Sequence, residues 1–97
     1  MSKLLFEKNF PSGFGISKYE GDKSYTITGY PKKEFRFRDF DGAYDLEEYI
    51  KKHVRCNGIE FDSEFCQFFA YAKSEQRAIK FCEDIEVWFN KVRELVA

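Results

Sequence analysis

Ninety-seven residues with a net charge of −1 carry nineteen aromatic rings (twelve Phe, six Tyr, one Trp). Leu, Ile, Val and Phe together make 26 of those 97 residues, above the range of disordered chains. No stretch approaches the roughly 18 uncharged apolar residues that a membrane helix needs. Rings must therefore supply most of one small core.

The first forty residues read as strands. Leu4 to Lys8 is a short candidate, closed by the turn cluster Asn9-Phe10-Pro11-Ser12-Gly13. Phe14 to Tyr19 and Ser24 to Tyr30 flank Glu20-Gly21-Asp22-Lys23, whose Gly-Asp pair suits a tight hairpin. After Pro31, Glu34 to Phe40 has a period of two, with Phe35 and Phe37 on one side and Arg36 and Arg38 on the other. A fourth antiparallel strand is expected there.

A helix follows. Leu46, Tyr49, Ile50 and His53 form an i, i+3, i+4, i+7 stripe. Asp41 or Asp45 can cap its start, and Asn57-Gly58 offers a left-handed stop. Phe65 to Ala72 reads as a central strand, with Phe65, Gln67, Phe69 and Tyr71 opposite Cys66, Phe68, Ala70 and Ala72. Ser74 caps a last helix from about Glu75 to Leu95, with a broad face of Ala78, Phe81, Cys82, Ile85, Trp88, Phe89, Val92, Leu95 and Val96. A face so wide asks for two neighbours. With no repeat or linker, residues 1–97 read as a single α+β domain. Its expected order is β-β-β-β-α-β-α, an antiparallel sheet carrying two helices on one face. Phe35, Phe37, Phe65, Phe69, Phe81 and Phe89 are the expected core rings.

Catalytic patterns are weak. His53 and Cys56 have a His-x-x-Cys spacing that Cys66 and Cys82 could extend to a zinc site, but the ligands lack paired spacing and small thiols pack well in cores. Asp39, Asp41, Asp45, Glu47 and Glu48 resemble the opening of a calcium loop without its closing Glu, and suit a solvated helix start. Gly13-Phe14-Gly15 lacks the third glycine of a nucleotide loop, and one histidine supports no serine triad. No enzyme, metal or cofactor is expected. Three cysteines without pairing and an N-terminus without a signal pattern point to the cytoplasm.

Binding is the expectation that remains. Residues 1–38 hold eight Lys/Arg against four Asp/Glu, a local +4; residues 39–97 hold eight against thirteen, a local −5; together they give −1. Lys32, Lys33, Arg36 and Arg38 form a cationic patch, which serves either a partner or the guarding of an exposed strand edge. Tyr30, Tyr44, Phe61 and Trp88 are the rings left for an interface. The leading expectation is a monomeric or homodimeric protein-binding domain whose partner is another protein or a nucleoprotein complex. Its size and character suit an inhibitor of the kind phages and mobile elements encode, anti-CRISPR proteins among them. The alternative is a nucleic-acid-binding module using strand 32–38.

Overall fold

The structure, a computed structural model, describes residues 2–96. Strands β1 (Leu4–Asn9), β2 (Phe14–Tyr19) and β3 (Tyr25–Gly29) form a meander. Helix α1 (Gly42–His53), strands β4 (Ile59–Phe61) and β5 (Phe69–Ala72), and helix α2 (Glu75–Val96) follow. All pairings are antiparallel, in the order β1-β2-β3-β5-β4. The α+β class and the antiparallel sheet agree with the sequence pattern. Among the described residues, no helix is long and apolar enough to cross a membrane.

Local signals place most elements. The β2–β3 connection folds back at Gly21, whose φ of 94° supplies the positive angle a type II turn needs at its third position. The Asp22 side chain accepts the Tyr19 backbone N–H at 2.9 Å, and the Asp22 N–H returns to the Tyr19 carbonyl at 3.0 Å. Ser74 caps α2 by accepting the Arg77 N–H at 3.1 Å.

One face of the sheet is covered. Phe14, Ile16, Ile27, Ala70 and Ala72 are buried with Ala78, Phe81, Cys82, Ile85 and Phe89 of α2 and Leu46 and Ile50 of α1. The alanines of β5 and α2 leave room for large rings elsewhere, such as the edge-to-face pair Phe14–Phe68 at 5.6 Å. Ser17, Thr26, Thr28, Phe69 and Tyr71 have the opposite phase and stay partly exposed.

Four expectations are corrected. Glu34 to Phe40 is not a strand: Lys33–Phe35 forms a single 3-10 turn, and Arg36 resumes an extended backbone with no ladder partner. The partner place beside β3 is taken by β5, so the order is β-β-β-α-β-β-α. The strand drawn from Phe65 starts only at Phe69, which leaves Phe65 and Cys66 exposed, while Phe68 rather than Phe65 enters the core. The segment Ile59–Phe61, for which the sequence pattern predicts no element, is the edge strand β4. Gly58, with φ 76°, shapes the turn into β4, whereas α1 ends earlier at an extended Val54.

Two glycines permit a close backbone crossing. A Cβ on Gly29, at φ 140°, would collide with the Gly13 carbonyl oxygen and Phe14 Cα, and one on Gly13 would strike the Tyr30 carbonyl. Gly21 faces open space. Gly29→Ala should therefore cost more than the roughly 1–3 kcal/mol of a strained backbone alone, and Gly21→Ala only about 1–2 kcal/mol. Urea denaturation of the two variants measures the difference, and equal losses would contradict the crossing.

Candidate protein-interaction surface

The segment between β3 and α1 is built around Phe40. Its ring is buried against Tyr49 (5.4 Å), Phe89 (6.1 Å, stacked) and Tyr30 (6.2 Å). The Tyr30 hydroxyl accepts the Phe40 N–H at 3.0 Å and donates to the Phe40 carbonyl at 3.3 Å, replacing the ladder bonds this stretch lacks. Phe37 joins the same rings, 5.4 Å from Tyr49 and 5.7 Å from Phe89. Phe35 lies beneath the Arg93 guanidinium at 5.2 Å.

The expected binding residues divide by environment. Arg38 forks onto Asp45, with bonds of 3.0 and 3.3 Å, and covers the Phe40 ring at 4.0 Å. Arg36 lies 3.8 Å from Asp39 and above the Tyr30 ring at 5.4 Å. Lys32 and Lys33 are exposed at the 3-10 turn and, among the described residues, have no ion pair. Since 32–38 is not a strand, guarding a sheet edge is not what these cations do. Trp88 is structural in its contacts: its Nε1–H donates to the Tyr49 hydroxyl at 2.7 Å, and its ring stacks on His53 at 4.9 Å. Phe61 packs between Phe68 and Phe81 under Lys51, apart from the other candidates. Tyr44 on α1 is 53 % exposed.

The ring missed from the sequence is Phe65, which is 75 % exposed. Its position follows from the start of α1. Asp41 makes no side-chain cap; instead Asp45 reaches back to the Asp41 N–H at 2.7 Å. The free N–H of Ala43 is satisfied by the Phe65 carbonyl at 3.3 Å. Gly42 lies beneath that carbonyl, where a Cβ would come within 3.2 Å. The loop is closed by reciprocal Glu64–Gln67 backbone bonds at 2.9 and 3.2 Å. Ser63 donates its N–H to Glu47 at 3.3 Å, while its hydroxyl accepts the Phe69 N–H at 3.2 Å. A rigid loop thus holds an aromatic ring in water. Only its flanking polar residues, Ser63-Glu64 and Gln67, hinted at a turn in the sequence.

The thiols do not assemble. Cys82 is buried, and burial pushes its thiol up to about 12; Cys56 is half-buried and Cys66 exposed, not on an apolar face. Among the described residues, no group of three or more His, Cys, Asp or Glu side chains is placed to hold a metal ion. Comparison with protein-family models, curated proteins and solved structures finds no match to this chain.

The Arg38 fork, followed by the Asp41 N–H, holds the Asp45 carboxyl below the usual carboxylate range, against the opposing effect of desolvation. A depressed folded value means that the stabilisation is present above the unfolded value of about 3.9 and lost as pH falls through the folded one. Asp45→Asn should lower the urea midpoint near neutral pH. The gap from the parent protein should shrink as the pH drops below about 4. A gap independent of pH would mean that the Asp45 charge is not what stabilises the start of α1.

Proposed function

We propose that this chain is a small, non-catalytic protein-binding domain that acts from the surface formed by Tyr44 and Phe65 at the start of α1. The observation that carries the reading is Phe65, a large ring exposed on a loop that six hydrogen bonds, counting those of Ala43, Ser63, Asp62 and the Glu64–Gln67 pair, hold in one conformation. Exposed aromatics cost little entropy on binding when their backbone is already ordered, and such rings dominate interface energies. Occupation of a host macromolecule by a compact chain is the action of a stoichiometric inhibitor. We extend the proposal to that mode, in the reducing cytoplasm that three unpaired thiols suit.

Nucleic-acid binding draws less support. Of the four expected cations, Arg36 and Arg38 already face carboxylates, which leaves Lys32 and Lys33. A mobility-shift titration at low salt with DNA and RNA separates the two modes, since phosphate binding is strongest there.

Affinity purification from the source cells should recover a protein partner. Because Phe65 and Tyr44 lie outside the core, their alanine variants should unfold within about 0.5 kcal/mol of the parent. Each should nevertheless weaken partner binding by roughly tenfold or more in calorimetric titration. Undiminished binding by both variants would place the contact elsewhere.

A further inference from the structure

The charges around these two rings identify the kind of surface they meet. Residues 39–50 and 62–67 contain seven carboxylates, Asp39, Asp41, Asp45, Glu47, Glu48, Asp62 and Glu64, and no Lys or Arg. Backbone and side-chain bonds from Ala43 to Phe65 and from Ser63 to Glu47 lay these two stretches side by side. Three carboxylates meet cations from outside the stretches: Asp39 with Arg36, Asp45 with Arg38 and Glu47 with Lys51. Asp41, Glu48, Asp62 and Glu64 are exposed and, among the described residues, form no ion pair.

The demands of the fold do not account for this segregation. A helix dipole favours carboxylates only at the N-cap and within the first turn, which explains Asp41 and Asp45 but not Glu48 one turn later. Asp62 and Glu64 are on a loop. In α2, by contrast, Arg77 and Lys80 precede the acids Glu83, Asp84 and Glu86, and Lys91 and Arg93 follow them; Lys80 pairs with Asp84 at 3.0 Å. Four unneutralised like charges beside exposed rings raise the free energy of the unbound surface, and a cationic partner relieves that repulsion.

We infer that Tyr44 and Phe65 dock into an apolar recess on a basic protein surface, with Asp41, Glu48, Asp62 and Glu64 facing its lysines and arginines. The inference rests on the protein-binding reading and adds the chemistry of the partner. Attraction of this kind speeds encounter and weakens with salt, whereas the rings set the residence time.

Two measurements on the full chain test it. In the first, deca-arginine is titrated into the isotopically labelled protein and followed by backbone amide resonances. Shifts should concentrate in residues 41–48 and 62–67, and vanish in roughly 0.5 M salt and in the Glu48→Lys/Glu64→Lys variant. An otherwise unchanged spectrum of that variant shows that it folds; if it does not fold, Glu48→Gln/Glu64→Gln replaces it. Shifts spread evenly over the carboxylates, or centred on Glu83–Glu86, overturn the inference. In the second, the partner recovered from source cells should bind the charge-reversed variant roughly a hundredfold more weakly, and Lys32→Glu/Lys33→Glu no more weakly than the parent. A recovered partner that binds the Glu48/Glu64 variant undiminished sinks the basic-surface inference while leaving protein binding intact. Recovery of nucleic acid alone, or of nothing, overturns both.

Discussion

Phe40 is where the sheet, the two helices and the connecting segment meet. The chain between Gly29 and Asp41 has no strand partner, so its extended portion must satisfy backbone groups and bury apolar surface by other means. The Tyr30 hydroxyl serves both the N–H and the carbonyl of Phe40, and the Phe40 ring lies against Tyr49 and Phe89. Once Phe40 is seated, Arg38 is brought over Asp45 and α1 begins at Gly42. Ala43 then presents the N–H that receives the Phe65 carbonyl. The exposed ring is the last member of a chain of dependence that starts in the core.

The same arrangement explains how so few aliphatic residues suffice. Rings in edge-to-face contact fill irregular volume, and their partial charges favour those geometries over a plain sandwich. Alanines at positions 70, 72 and 78 admit the helix to the sheet, while Phe37, Phe40, Tyr49 and Phe89 close the end where α1, α2 and the 30–40 segment meet. Polar tips are served where rings are partly buried, as in the Trp88–Tyr49 bond. Aromatic richness is therefore chiefly a solution to packing, and Tyr44 and Phe65 are the two most exposed rings it leaves.

Rigidity separates Phe65 from the exposed apolar residues at the end of α2. Leu95 and Val96 end α2 and are also exposed, but a helix terminus frays. The 62–69 loop is tied to itself and to α1 by backbone and side-chain bonds, so little conformational freedom remains to be lost on association. Its carboxylates and those of α1 share one surface because the hydrogen bonds from Ala43 and Ser63 require it.

Much of the architecture was legible in the residues. The glycine turn between β2 and β3, the apolar stripe of α1 and the Ser74 cap of α2 are local signals, determined by backbone sterics and helical spacing wherever the rest of the chain lies. The acidic run from Asp39 to Glu48 was equally visible. What depended on tertiary structure was pairing and phase. Phe35 and Phe37 alternate with Arg36 and Arg38 because extended chain alternates its side chains, whether or not a ladder partner exists; only the occupation of the β3 edge by β5 decided against a strand. Likewise, the start of β5 at Phe69 and the capping of α1 by the Phe65 carbonyl turned an expected core ring outward. A hydrogen bond between residues 22 positions apart leaves no periodicity in sequence, and that bond decides which ring meets the solvent.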